Sequence, residues 1–177
     1  MGRMKKTLFV IALLLTGVWL YPPARFVAFV LIGRGTNCSY DRAAQSARDL
    51  DRQIRYKDEI LANSKLLETD AAGFKKYQTP MGDYWIPVGS EFVLPYNLAE
   101  IKRSIYFHEN HTIKHGDVVL DCGANIGVFT RKAIALGAAK VIAIEPSPEN
   151  LECLRRNFKK EIDEGRVVVY GKGVWNQ

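Results

Sequence analysis

The chain has 177 residues, enough for one domain of ordinary size with a buried core but too few for two large ones. Apolar residues make up 47% and charged residues 25% of the sequence, which excludes a mainly disordered, collagenous or disulfide-scaffold protein. The three cysteines, Cys38, Cys122 and Cys153, show no paired spacing. This usage favours a reducing compartment and argues against a zinc site.

The net charge of +6 is concentrated at the N-terminus. Residues 1–35 contain five bases and no acid, whereas residues 36–177 contain 20 bases and 19 acids and are nearly neutral. A nearly neutral body gives no sign of a nucleic-acid-binding face, whereas bases that flank an apolar segment favour anionic lipid. The charge pattern therefore predicts anionic membrane lipid as a partner and no nucleic acid.

Residues 1–35 are predicted to form a membrane segment. Residues 7–24 carry no charge, and residues 26–33 add eight uncharged positions after Arg25. A spanning helix needs about 20 apolar residues, and the run is not followed by the small-residue cleavage site of a secretory signal peptide. Because Pro22-Pro23 breaks or kinks a helix, the segment either crosses as one kinked helix or dips in and returns on the same side.

Residues 36–115 are predicted to form a helical and hairpin region ahead of the main domain. Apolar residues at helical spacing across 40–68 indicate an amphipathic helix. Aromatic residues and turn signals on both sides of Met81-Gly82 indicate a β-hairpin. A second helical pattern covers residues 97–111.

A different pattern begins at Val118, where apolar runs alternate with helical segments. This alternation predicts βαβ units, and hence an α/β domain over residues 116–177. Gly137 is placed to end the first helix, and Ser147-Pro148 to begin the second. The strands are predicted at 118–120, 141–144 and 167–170.

The turn after the first of these strands is the best candidate for a ligand site. It reads Asp121-Cys122-Gly123-Ala124-Asn125-Ile126-Gly127, and its glycines allow a sharp turn and a close approach of backbone to a ligand. Free N–H groups at the start of the next helix favour a carboxylate or phosphate. A dinucleotide fingerprint needs G-x-G-x-x-G, but Asn125 and Val128 stand at the later glycine positions, so an NAD-binding half-domain is disfavoured.

Two carboxylates narrow the ligand class. Asp121 ends the first strand, where an acid repels a pyrophosphate but can receive an ammonium group. Glu145 ends the second strand, where an acid can accept hydrogen bonds from both hydroxyls of a ribose. S-adenosylmethionine combines a cationic amine, a carboxylate and a ribose, so these residues predict it as the cofactor.

Over about residues 116–176 the sequence resembles the FkbM-type S-adenosylmethionine-dependent methyltransferases. The resemblance rests on the block 121–127, on Glu145-Pro146-Ser147-Pro148-Glu149-Asn150, on Leu154 and Arg156-Asn157, and on Gly173-Val174-Trp175. It implies a Rossmann-like class I methyltransferase sheet with only the first three strands present, preceded by the hairpin region and the membrane segment. The implied cofactor-binding residues are Asp121, Gly123, Ala124, Asn125, Gly127, Thr130 and Glu145.

The resemblance further implies O-methylation of a sugar, polyketide or similar hydroxyl, with a small molecule or glycan as substrate. The family has a seven-stranded sheet, so we expect this chain to be the N-terminal half of the domain, and to be poorly soluble and inactive alone. No catalytic base can be identified. Because the cofactor is made in the cytosol, the domain is expected on the cytoplasmic side of a membrane. The alternative function is a catalytically inactive nucleoside-binding or membrane-interaction module.

Other candidate residues are interpreted as structural. His108, His111 and His115 lack the H-E-x-x-H spacing and further ligands, so no metal site is predicted. Cys122 has no base paired with it in the sequence and is predicted to be a small core residue rather than a nucleophile. The aromatic residues near the hairpin are predicted to be core, with a substrate lid as the alternative. They are Tyr84, Trp85, Tyr96 and Tyr106.

Overall fold

The structure, a computed structural model, describes residues 20–32, 39–107 and 112–174, together with residues 7, 11–13, 16 and 17. The chain divides into two compact units, residues 1–52 and residues 53–177. Helix α1 (Pro22–Leu31) belongs to the first unit, and α2 (Tyr40–Ala62) runs from the first into the second. The second unit continues with β1 (Lys65–Thr69), β2 (Lys75–Thr79), β3 (Gly82–Ile86), α3 (Val93–Lys102), β4 (Val118–Cys122), α4 (Val128–Ala135), β5 (Lys140–Ile144), α5 (Pro148–Asn157), α6 (Lys159–Asp163) and β6 (Val167–Tyr170).

The predicted membrane segment over residues 1–35 is not supported. Among the residues that the structure describes, no helix combines the length and the hydropathy needed to cross a bilayer. Helix α1 has ten residues, which is about half of what a spanning helix requires. The predicted membrane segment, lipid partner and membrane-associated localisation are therefore corrected. Much of 1–35 lies outside the described residues.

The first sheet of the second unit is antiparallel and contains β1, β2 and β3 in that order. The predicted hairpin around Met81-Gly82 is present as β2 and β3. Strand β1 differs from the prediction, because the helical pattern was expected to continue to residue 68, whereas the helix ends at Ala62. There the side chains of Asn63 and Ser64 donate to helix carbonyls, Nδ2 to Glu59 O at 2.8 Å and Oγ to Ile60 O at 2.7 Å.

This antiparallel sheet corrects the predicted fold class. The chain has two small sheets in an α/β fold, rather than one sheet preceded by a hairpin and a membrane segment. The predicted helix over 97–111 also differs, because α3 begins at Val93 and ends at Lys102. Residues 108–111 of that prediction lie outside the described part of the chain.

The second sheet is parallel, in the order β4-β5-β6. Both predicted helix signals are confirmed. Gly137 follows α4 in a left-handed conformation with φ of 97°, which a glycine adopts without strain. Ser147 caps α5, because its side chain accepts a hydrogen bond from Asn150 N at 3.4 Å, and Pro148 is the first helical residue.

Helices cover one face of the parallel sheet and leave the other face open in the part of the chain that is described. On the covered face, Val141 and Ala143 are buried with Phe158 in one apolar cluster. On β4, at the edge of the sheet, Val118 is 65% and Leu120 is 59% exposed. Within the described residues, β4 pairs only with β5, so its outer edge presents unpaired backbone groups.

The two sheets are joined through the side chain of Asn157 at the end of α5. Its Oδ1 accepts a hydrogen bond from Trp85 N at 2.6 Å, and its Nδ2 donates to Trp85 O at 3.1 Å. The same Nδ2 donates to Ile126 O, in the turn after β4, at 2.9 Å. One side chain therefore connects β3, α5 and the predicted ligand turn.

Two arginines strengthen this junction. The guanidinium group of Arg156 bonds to Asp70 at 2.6 Å and lies 4.8 Å from the ring centroids of Phe74 and Trp85. Arg131 of α4 donates from Nη2 to the carbonyl oxygen of Asp83 at 3.0 Å. Both arginines thus connect the parallel-sheet half of the unit to the hairpin half.

We expect Asn157→Ala to lower the free energy of unfolding by about 3 kcal/mol, because it leaves three backbone groups without partners. Urea unfolding followed by circular dichroism measures this loss. The matched control is Asn63→Ala, whose lost bond to Glu59 is exposed and should cost less than about 1 kcal/mol. Equal losses in the two variants would contradict the joining role of Asn157.

We expect Val118→Lys to reduce self-association of the chain, because a charge on an open edge strand disfavours pairing with another chain. Sedimentation velocity measures the size distribution of each variant. Val118→Ile keeps the apolar surface and should associate as the unmodified chain does. If Val118→Lys associates to the same extent, the contact does not involve this edge.

Candidate functional site

A cavity of about 440 Å³ lies at the carboxyl end of β4, a common position for ligand sites in α/β folds. The turn after β4 and the start of α4 form one side, and α3 with the turn that follows it forms the opposite side. The first side contributes Leu120, Asp121, Cys122, Gly123, Ala124, Asn125, Val128 and Phe129, and the second contributes Asn97, Glu100, Ile101 and Tyr106.

The turn after β4 depends on three residues in the left-handed region. Gly123 has φ of 84°, Asn125 has 51° and Gly127 has 91°. Asn is one of the few residues with a side chain that adopts this conformation at low cost. Gly127 is also required by packing, because a Cβ atom there would lie 2.1 Å from Cε2 of Phe158.

The N–H groups of the turn are satisfied within the protein. Gly123 N and Ala124 N both donate to Ile144 O at 2.9 Å, which ties the turn to the end of β5. By contrast, the N–H groups of Val128 and Phe129, at the start of α4, donate to no backbone carbonyl among the described residues. The donors available to an anionic group are therefore those of the helix start.

Asp121 is a buried carboxylate with one fixed partner residue. The residue is 7% exposed, and its Oδ2 accepts a hydrogen bond from Thr130 Oγ1 at 2.5 Å. Burial raises the pKa of Asp121, and the hydrogen bonds from the Thr130 side chain and backbone lower it in part. No described basic side chain lines the cavity, so this carboxylate has no positive partner there.

Glu145 lies behind the cavity and holds the turn. Its Oε2 accepts a hydrogen bond from Asn125 N at 2.9 Å, and its Oε1 accepts one from Ser147 N at the same distance. The Asn150 side chain donates to Oε1 at 3.3 Å. Glu145 therefore connects the turn after β4 to the start of α5.

A second carboxylate, Glu100 of α3, lines the opposite side of the cavity. The Tyr106 hydroxyl donates to Glu100 Oε2 at 3.0 Å, and burial together with this carboxylate raises the pKa of Tyr106 to about 12. The Tyr106 ring meets the ring of Phe129 edge-on, with 5.3 Å between centroids. The cavity thus combines negative charge with aromatic surface, an arrangement that suits a cation.

The structure brings together some of the predicted site residues. Four of the seven line the cavity, namely Asp121, Gly123, Ala124 and Asn125. Gly127, Thr130 and Glu145 lie outside the lining and support it through the contacts above. Sequence reasoning missed Glu100, because one acid in a helical pattern gives no signal of the cavity it faces.

The other candidate residues separate into core and surface. Tyr84 is 2% exposed, and Trp85 packs against the same apolar cluster, so both are core as predicted. Tyr106 instead lines the cavity, and Cys122 is exposed rather than core because it alternates with buried Asp121 along β4. His108 and His111 lie outside the described residues. In the described part of the chain, no group of three candidate ligands could hold a metal ion.

No protein-family model matches the sequence, and no curated protein matches it. Solved structures with a similar fold include methyltransferases. TYW2 of Pyrococcus horikoshii in complex with MeSAdo has a TM-score of 0.40 at 22% identity, over 62% of this chain and 39% of that chain. The tRNA m1G37 methyltransferase of Methanocaldococcus jannaschii has a TM-score of 0.31 at 20% identity, over 60% of this chain and 28% of that chain. Methyltransferase FkbM of Methylobacillus flagellatus has a TM-score of 0.33 at 18% identity, over 83% of this chain and 39% of that chain.

These comparisons show similarity of fold alone. The chain spans less than half the length of each of these three structures. An identity of 18% to the FkbM protein does not separate that family from other methyltransferases of similar fold. The predicted exclusion of nucleic acid is corrected, because a net charge near zero does not report local basic patches.

We compare the free energy of unfolding of the unmodified protein with that of the Asp121→Asn variant. We expect the difference, unmodified protein minus variant, to fall as the pH rises above the usual carboxyl pKa of 3.8. With its pKa raised by burial, folded Asp121 keeps its proton where the unfolded chain has released it, so ionisation favours unfolding until the folded pKa is passed. Urea unfolding at a series of pH values measures the difference.

The control for this titration has the opposite sign. The hydrogen bond from Arg156 lowers the pKa of Asp70, so Asp70 contributes stability above the usual pKa and loses it as the pH falls. The stability of the protein relative to Asp70→Asn should therefore rise with pH. If the stability difference rises with pH in both comparisons, with Asp121→Asn and with Asp70→Asn, the raised pKa assigned to Asp121 is contradicted.

Proposed function

We propose that the chain carries the cofactor-binding half of an S-adenosylmethionine-dependent methyltransferase, centred on residues 116–177, with α3 and the turn that follows it closing the site. The observation that carries this proposal is the buried, cation-free carboxylate of Asp121 at the carboxyl end of β4. A buried carboxylate without a positive partner is costly unless a ligand supplies the charge. The ammonium group of S-adenosylmethionine supplies it.

The other groups of the cofactor also find matching residues. The N–H groups of Val128 and Phe129 would receive the carboxylate of the methionine moiety, since anions bind at helix starts. Glu145 would accept hydrogen bonds from the ribose hydroxyls. Its longest hydrogen bond, from the Asn150 side chain, would be the first that a ribose hydroxyl replaces. A dinucleotide fits poorly, because its pyrophosphate would face the Asp121 carboxylate.

The reaction follows from these positions. The bound cofactor supplies a methyl group on a positively charged sulfur, which is reactive toward a nucleophile. The residues of this chain hold that group at the cavity, so their contribution is alignment. The sequence blocks shared with FkbM-type enzymes favour a hydroxyl acceptor, such as that of a sugar or polyketide, and we include O-methylation in the proposal.

We expect the full chain to bind S-adenosylmethionine and S-adenosylhomocysteine in isothermal titration calorimetry. Asp121→Asn should weaken both by about tenfold or more, because a charge-assisted hydrogen bond to the ammonium is lost. Glu145→Gln should weaken both as well, because it acts at the ribose, which the two ligands share.

The matched control is Glu68→Gln, which removes one negative charge from an exposed residue of β1 that does not line the cavity. This variant should bind both ligands as the unmodified chain does. Failure of the unmodified chain to bind either ligand, or unchanged binding by Asp121→Asn, would contradict the proposed function.

A further inference from the structure

We propose that Glu100 is a specificity-determining residue, facing the sulfonium group and favouring S-adenosylmethionine over its demethylated product. This inference rests on the proposed function of the same cavity. It concerns a residue of α3, on the side opposite the turn after β4, that no sequence pattern assigns to the cofactor.

The charges of the cavity match those of the cofactor. Asp121 and Glu100 are the two carboxylates among the described lining residues, and no basic side chain joins them there. S-adenosylmethionine carries two positive groups, the ammonium and the sulfonium, and one carboxylate. Asp121 accounts for the ammonium, which leaves Glu100 and the sulfonium as the remaining pair.

The two carboxylates lie in different settings. Asp121 is buried at the end of a strand and fixed by Thr130, so it suits a group that every ligand of the site carries. Glu100 is only partly buried and comes from the opposite side. Between the cofactor and its product, the ammonium and the carboxylate stay the same, and the methyl group on sulfur is lost together with the positive charge.

Tyr106 orients Glu100 for this role. Its hydroxyl donates to Oε2 at 3.0 Å, and among the described residues Oε1 accepts no hydrogen bond. One oxygen is therefore held while the other remains available. Because the phenol keeps its proton, Tyr106 acts as a donor to Glu100 and adds no competing negative charge.

The aromatic rings provide an independent second observation. Tyr106 and Phe129 both line the cavity, with 5.3 Å between their centroids. An aromatic face attracts a cation electrostatically, whereas a neutral thioether gains only the weaker sulfur–aromatic contact. Glu100 and these rings therefore favour the charged ligand, whereas Asp121 binds both ligands.

The test compares affinities for S-adenosylmethionine and S-adenosylhomocysteine by calorimetry on the full chain. We expect Glu100→Gln to weaken binding of the methylated ligand by about tenfold and to change binding of the product by less than about twofold. Asp121→Asn should weaken both ligands to a similar extent. Glu68→Gln serves as the control for the loss of one negative charge, and thermal unfolding checks that each variant is folded.

Tyr106→Phe separates orientation from charge. It leaves the Glu100 carboxylate in place but frees it, so we expect a smaller loss, confined to the methylated ligand. The unmodified chain provides a further test, because the ratio of the two affinities should fall as the salt concentration rises, while screening of Asp121 affects both ligands alike.

Three outcomes would overturn the assignment. Equal weakening of both ligands by Glu100→Gln would place Glu100 at the ammonium, and unchanged binding of both would remove it from the site. If Glu100→Gln does not fold, a salt-independent affinity ratio in the unmodified chain overturns the proposal. Binding of neither ligand by the unmodified chain would instead reject the proposed function, so the two failures are distinguishable.

Discussion

The bonds of the Asn157 side chain to Trp85 and Ile126 are the interaction on which the candidate site depends. An amide side chain presents a donor and an acceptor in one plane, as a peptide group does, and here it pairs with both backbone groups of Trp85. Its remaining N–H reaches the turn after β4. Because that turn has three residues in the left-handed region, its shape needs support from outside, and Asn157 supplies part of it.

A second constraint is the cost of keeping a carboxylate buried at the end of β4. Burial raises the pKa of Asp121, and the two hydrogen bonds from Thr130 offset this only in part. A residue that served stability alone would be apolar or paired with a base at this position. On the proposed function, the buried Asp121 carboxylate lowers the stability of the unliganded protein, and a cationic ligand would restore that stability by mass action.

Sequence reasoning succeeded where a local pattern is repeated or capped. The parallel strands follow from apolar runs, and the ends of α4 and α5 follow from Gly137 and Ser147-Pro148. It failed at β1, because the helical stripe predicted over 40–68 gave no sign of its end at Ala62, and pairing with β2 forms the strand that follows. It also failed in the described part of residues 1–35, where uncharged runs predicted a membrane segment but no helix is long and apolar enough to cross a bilayer. It failed again in excluding nucleic acid, because a summed charge does not describe a surface.

The sequence by itself determined the turn after β4, since the glycines, Asn125 and the two strand-end acids act within one βαβ unit whose geometry is local. Only the tertiary structure decided what lies opposite that turn. Glu100 and Tyr106 come from α3, and α3 reaches the cavity because the hairpin half of the unit is held to α5 by Asn157 and Arg156. Such contacts join residues far apart in the chain, and their partners are set by packing and buried hydrogen bonds, which leave no periodic trace in the sequence.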